Sequence, residues 1–379
     1  MRRELRRLAS RRIYLFMILL APAFCFLFFA DLLKQGLPMN LPIAVVDEDN
    51  SSMSRQLVRS LDAIPQTDVA LRTSLFAEAR EALQQARVYG IFHIPEGFKA
   101  EVSAGKTPVL SFYTNDTYLL PGSLAYKDMR LQSALMNGAV QQTLLLAKGE
   151  GGPQLQAKLM PVALETNPLN NPWISYSIYL ANILMPAFVF MFAMFTAAFS
   201  ISDEEKRGTA GEWLSLSRGS IGIALLGKLL PQTIAFCATG LLYLSLLYGY
   251  QRFPMNGGFA PVFLAMVLLV LSAQGFAVFV SGVTRQSRIV LSACALWGVL
   301  SFSISGFTYP APAMPELMYW GSNLFPMRHY YLLYVDQALN GIPLAYSWGS
   351  YAALALFALL PLCVAWRLKK RIINQSPAT

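Results

Sequence analysis

The chain has 379 residues, 55% of them hydrophobic and only 13% charged, with a mean hydropathy of +0.44 and a formal net charge of +9. That apolar share exceeds what a water-soluble domain carries, and runs long enough to cross a hydrocarbon core of roughly 30 Å recur along the chain. A soluble globular class is excluded, and the composition is that of an integral membrane protein.

Met1–Arg12 is basic and, read as a helix, puts Leu5 and Leu8 on one side with arginines around the rest, as expected of an amphipathic segment (1–12) lying on a membrane surface. Ser10-Arg11-Arg12 faintly resembles a twin-arginine export signal, but no clean small-x-small cleavage site follows at Phe29-Ala30-Asp31, so the next run is expected to stay as a span. Six runs reach or approach spanning length: Ile13–Ala30, Ile174–Ser200, Ile221–Tyr248, Phe259–Gly282, Ile289–Thr308 and Ser347–Trp366. The stretch 31–172 has no such run and reads as one folded aqueous domain between the first and second spans.

Orientation follows from the placement of Lys and Arg in the short loops. Six arginines precede the first span, Lys206, Arg207 and Arg218 follow the second, Arg285 and Arg288 follow the fourth, and Arg367, Lys369, Lys370 and Arg371 follow the sixth. The opposite short loops hold only Arg252 and Arg328. Both termini, the basic tail 367–379 and the loop 202–220 are therefore expected in the cytoplasm, and 31–172 outside. That stretch carries 12 Lys+Arg against 14 Asp+Glu, so the positive excess belongs to the cytoplasmic rim. There it meets anionic lipid and gives no support for nucleic-acid binding.

Within 31–172 strands and helices alternate, which predicts an α/β or α+β domain. Pro42–Val46 is a strand, followed at Asp47-Glu48-Asp49-Asn50 by a turn and a helix capped by Ser51 or Ser52. The acidic run lacks the Gly and distal Glu of a calcium-binding loop, and the turn explains it. Asp68–Arg72 is a second strand. Ser74–Arg87 is a helix capped by Ser74, with Leu75, Ala79, Leu83 and Ala86 on one face. Val88–Ile94 and Pro108–Thr114 are further strands, and Leu124–Leu146 is a long helix leading back towards the membrane. Asn50-Ser51-Ser52 and Asn115-Asp116-Thr117 match the glycosylation triplet, a pattern common by chance.

Cys25, Cys237, Cys294 and Cys363 all fall in predicted spans, without zinc-site spacing, and read as packing residues. The two histidines, His93 and His329, are too few and too isolated for a metal cluster. Gly222 to Gly227-Lys228 has the spacing of a phosphate-binding loop, yet Leu229 stands where a magnesium-holding Ser or Thr belongs. Lys228 is expected to run its stem among apolar groups and its ammonium out to water. No catalytic, metal or cofactor site is expected in this chain. The six spans also lack Asp and Glu, which argues against an ion-coupled carrier.

Asp203–Ser220 is dense in charge for a connector. Glu204, Glu205, Lys206, Arg207 and Glu212 supply charge for a polar partner, and Trp213, Leu214 and Leu216 an apolar ridge for a groove. Here the chain resembles the permeases of type-2 ATP-binding-cassette exporters, whose loop after the second span carries a motif close to Glu-Lys-Glu-Arg-Gly-Thr-x-Glu-x-Leu. Glu205-Lys206-Arg207-Gly208-Thr209 with Glu212-Trp213-Leu214 is similar to it, with Ala210-Gly211 one residue longer than the motif. Ser305-Gly306-Phe307, Pro310, Met314-Pro315 and Asn323–Tyr330 resemble the family's segment after its fifth span. The layout as a whole, one span, a large outside domain, then five spans (173–366), resembles the subfamily with that insertion.

The resemblance implies a non-enzymatic permease of the bacterial inner membrane, pairing with itself or a close relative. Two ABC ATPase subunits, holding ATP and Mg, would bind its cytoplasmic side at Glu204–Leu216. Pro310, Pro312 and Pro315 would break the chain at the outer face before short re-entrant or surface helices in Glu316–Leu339, and Gly306, Pro310, Met314, Pro315 and Pro326 would mark this outer-gate region. A periplasmic adaptor protein would meet the outside domain, and the cargo would be amphipathic or lipid-like, drugs included. A receptor or scaffold whose outside domain binds a ligand is the alternative.

Overall fold

The computed structural model describes residues 2–115, 117–147, 167–172 and 174–375. Met1, the middle of the triplet Asn115-Asp116-Thr117, the stretch 148–166, Trp173 and the end of the basic tail (376–379) lie outside the described residues. The chain divides into two compact units, Met1–Lys34 with Leu169–Thr379, and Gln35–Pro168.

In the first unit, α1 (Arg2–Ser10) precedes α2 (Arg12–Leu32), which contains a π-helical turn at Phe16–Leu20. After the second unit come α7 (Tyr176–Lys206), the short α8 (Ala210–Ser215), α9 (Ile221–Tyr250), α10 (Phe259–Val283) and α11 (Ser287–Ser303). Then follow α12 (Glu316–Ser322), α13 (Pro326–Leu333) with a π-helical continuation Tyr334–Asn340, α14 (Leu344–Ala358) and α15 (Pro361–Gln375). Among the described residues five helices are long and apolar enough to cross a membrane: α2, α7, α9, α10 and the kinked pair α14–α15. The run expected as a span over Ile289–Thr308 is the 17-residue α11, about 25 Å long and so short of a 30 Å core. It ends at Ser303, where Ile304 leaves helical geometry (φ −105°), and Gly306, at φ +98°, then turns the chain.

α10 is the axis of this unit and packs on α7, α9, α14 and α15. Its glycines set the approach distance. A Cβ on Gly275 would strike the backbone at Phe357 and Ala358 of α14, and one on Gly282 would sit 2.6 Å from Val364 of α15. Around it lies one apolar core containing Val189, Phe190, Phe236, Met266, Leu269 and Cys294.

The second unit is a four-stranded sheet in the order β2–β1–β3–β4, made of β1 (Leu41–Asp47), β2 (Thr67–Thr73), β3 (Gly90–Ile94) and β4 (Ser111–Thr114). β1 runs parallel to β2 and β3, and β4 antiparallel to β3. One face buries Ile43, Val45 and Phe92 under α3 (Ser52–Asp62), α5 (Phe98–Ser103) and α6 (Leu119–Ala147). The other buries Ala44, Val46 and Ile91 under α4 (Phe76–Gln84). A parallel pair demands a crossover helix, and α3 and α4 supply them.

Ser51 caps α3, accepting from the Ser54 amide at 3.1 Å. The acidic turn is structural: the Asp47 carboxylate accepts from the Asn50 amide, Ser54 Oγ and Arg72. Two expectations fail in detail. Ser74 does not cap α4; Thr73 Oγ1 accepts from the Leu75 amide instead and donates to Glu78. That starts the helix at Phe76, so Ala79 and Ala82 face the sheet while Leu75 is 66% exposed. The last strand begins at Ser111 rather than Pro108, and α5 was not foreseen.

Candidate functional site

The charged stretch after α7 is not a loose loop. α7 continues through Asp203, Glu204 and Glu205 to Lys206, Gly208 reverses the chain at φ +70°, and α8 begins at Ala210. The side chains then divide between inside and outside. Glu204 is 0% exposed, its carboxylate held by four donors: Lys228 Nζ at 2.8 Å, Arg3 at 3.0 Å, and Arg7 and Thr209 in short contacts. Lys228 is itself fully buried and bridges to Glu4 at 3.1 Å. Asp203 takes Arg11 and, at 2.7 Å, Arg207, while Glu205 takes Arg371 of α15 at 2.5 Å. A carboxylate with this many charged donors is the arrangement that makes burial of charge tolerable.

Trp213 and Leu214 also turn inward. They pack with Ile201, Leu225, Val278, Leu368 and Ile372, joining α8 to α7, α9, α10 and α15. The Trp213 indole N–H donates to Ala224 O at 3.1 Å, and Lys228 Nζ lies 5.0 Å from the ring centroid. What remains outside is Lys206, Arg207, Gly208, Glu212, Ser215, Leu216 and Arg218, with Thr209 half-buried at the edge.

Two readings change in consequence. Glu204, Glu205, Trp213 and Leu214 form the foundation of this element rather than its outer surface. Lys228 does not reach water; it sits inside α9, where a helix also rules out a phosphate-cradling loop, and Glu204 and Glu4 neutralise it. Sequence reasoning missed the part played by α1. Arg3, Arg7 and Arg11 recur every four residues and so form one stripe, which meets Glu204, Glu204 and Asp203 in turn. That spacing was the available signal.

The second group of residues lies at the other end of α7. Tyr179 stacks on Phe307 at 4.3 Å between centroids and donates to its carbonyl at 3.0 Å. Gly306 lies against Arg328, where a Cβ would sit 2.5 Å from the guanidinium. Pro310 opens the turn Ala311–Ala313, Met314 is half-buried, Pro315 caps α12, and Pro326 is the buried first residue of α13. The expected short helices within Glu316–Leu339 are therefore present as α12 and α13. Trp297 stacks between Phe276 and Phe325 at 4.5 and 4.4 Å, fixing this segment to α10 and α11.

A family model described as ABC-2 family transporter protein matches residues 12–367. The chain belongs to this family. Curated relatives of this ABC-2 transporter include proteins of Escherichia coli strains K12 and O157:H7, each described as "Probable multidrug ABC transporter permease YbhR". Each is 25% identical over 297 residues, covering 77% of this chain and 76% of the relative. An ABC-2 permease works with an ATPase subunit and is not itself the catalyst. The match begins at the foot of α2 and ends inside α15, so it takes in the α7–α8 element and the helices α9 and α10 beneath it, but not α1.

Proposed function

We infer that this permease is half of a dimeric, ATP-driven exporter of the bacterial inner membrane, and that the exposed face of the α7–α8 element receives the ATPase. The observation that carries this is the contrast between the two sides of α8. One side offers Lys206 and Glu212 to solvent, and the other is fixed through Trp213, Leu214 and Glu204 to α1, α7, α9, α10 and α15. A push on such an element moves several spans together, because a close-packed, ion-paired base transmits displacement instead of absorbing it.

In this reading α11 completes six spans, both termini and α8 are cytoplasmic, and the α/β unit lies outside, where an adaptor protein or cargo would meet it. ATP and Mg belong to the ATPase; the permease contributes no cofactor. The description of the relatives as multidrug permeases favours amphipathic cargo over ions.

The test reverses charge on the exposed face. The double variant Lys206→Glu, Glu212→Lys leaves Glu204, Lys228 and Trp213 in place and takes from the base only the 3.7 Å approach of the 61% exposed Glu212 side chain to Arg3. It should keep the wild-type thermal transition while losing co-purification of the ATPase encoded beside it, or cargo-stimulated ATP hydrolysis. Unchanged association and stimulation in the double variant would sink the assignment of this face.

A further inference from the structure

A slot of about 310 Å³ lies between α1, α8 and the start of α9, walled by Arg3, Trp213, Leu216, Ile223, Leu226 and Leu230. Its wall is apolar, and it continues outward into side chains left bare of protein: Leu216 is 66% exposed, Ile223 60% and Leu226 69%. Leucines and isoleucines so exposed at the entry of a spanning helix are solvated by lipid chains. The slot's polar edge is Arg3. One terminal nitrogen of Arg3 is spent on Glu204 at 3.0 Å and faces Glu212 at 3.7 Å, while the other, Nη1, is buried and has no hydrogen-bond partner. Glu4 also borders the slot, but its carboxylate is bridged to Lys228.

We propose that this slot holds one acyl chain of an anionic phospholipid, and that the Arg3 side chain, 21% exposed at the slot's edge, turns its unpartnered Nη1 to the lipid phosphate. A buried guanidinium N–H without an acceptor is costly, and a phosphate oxygen is the acceptor its planar fork fits best. Net negative charge is selected by the setting: α1 carries four arginines against one glutamate, and Arg6 and Arg218 are exposed. The site sits where α1 and α8 share Arg3, so a bound lipid joins the amphipathic helix to the element beneath it. It requires nothing of an ATPase, and its failure would leave the function proposed above untouched.

The full permease in nanodiscs provides the test, read through Trp213, which lines the slot. Its fluorescence is isolated as the difference between wild type and Trp213→Phe, and is titrated with lipids carrying brominated acyl chains. Phosphatidylglycerol should quench this component at a several-fold lower mole fraction than phosphatidylcholine with the same chains. The preference should vanish in Arg3→Lys, which keeps a charge towards Glu204 but loses the second nitrogen. Equal quenching by both lipids would mean an ordinary lipid annulus and overturn the headgroup site; absence of quenching by either would overturn the slot. Should Trp213→Phe or Arg3→Lys lose its thermal transition, native mass spectrometry of wild type decides, because the proposal requires phosphatidylglycerol retained over phosphatidylcholine after gentle extraction.

Discussion

At one end of α7, Glu204 disappears from solvent inside a ring of cations; at the other, Tyr179 rests on Phe307 beside Arg328, a residue 7% exposed that donates to Ser305 O at 3.2 Å. The first end is held by paired charges drawn from α1, α7 and α9, the second by stacked rings and by glycine and proline turns. The difference is one of rigidity under load. Ion pairs stripped of water resist separation because breaking one strands the other, whereas stacked aromatic faces slide over one another at modest cost. The first construction suits an element that receives force, the role proposed for α8, and the second is the more easily deformed.

The largest effect that separates the two ends is expected from Glu204→Ala. It would leave Arg3 and Arg7 without their shared carboxylate and Lys228 with Glu4 alone, and breaking such a buried arrangement costs about 3–5 kcal/mol. Lys228→Met should cost clearly less, because Glu204 keeps Arg3, Arg7 and Thr209. Thermal unfolding of both variants in the same mild detergent ranks them. If Lys228→Met proves the more damaging, the carboxylate is not the hub.

At the far end, Arg328→Met should cost no more than about 1 kcal/mol. The guanidinium gives up one bond to a carbonyl, while the cost of burying its charge is removed together with it. Its 6.0 Å approach to the Tyr319 ring adds little. A loss as large as that of Glu204→Ala would show that an unseen acceptor holds Arg328, and the contrast between the ends would close.

Legibility followed the range of the interactions. The strands at Leu41–Asp47 and Thr67–Thr73, the Ser51 cap and the long helix α6 rest on alternation, capping and turn residues, all local in sequence, and each was readable within a few positions. The α7–α8 element was readable as an element but not by its sides. Whether Trp213 faces a partner or Leu368 depends on a helix more than 150 residues away. Arg3 meets Glu204 across 201 residues, and Lys228 looked like an interfacial lysine because nothing within a turn of it is acidic. Long-range charge pairing leaves only a periodic stripe, Arg3-Arg7-Arg11, and that stripe fits a membrane-surface helix equally well.

A third buried charge, in the α/β unit, extends the comparison to its weakest case. Asp128 of α6 is 5% exposed and is met by one neutral donor, Thr67 Oγ1 of β2 at 2.8 Å. Burial raises its pKa above the ordinary carboxylate value, and the Thr67 hydroxyl and Lys127 only partly offset that. A raised folded-state pKa means that the folded chain holds the proton more tightly than the unfolded one. The group's stabilising share is thus complete below the ordinary value of 3.8 and is lost as pH rises through the folded value. Asp128→Asn keeps an acceptor for Thr67 and carries no charge at any pH. The variant should therefore gain stability over wild type towards neutral pH and converge with it on acidification. Thermal midpoints of both proteins across about pH 4 to 8 read this directly. A constant difference across the series would mean that the carboxylate is solvated well enough to titrate normally, and that Thr67 alone suffices where Glu204 needs four donors.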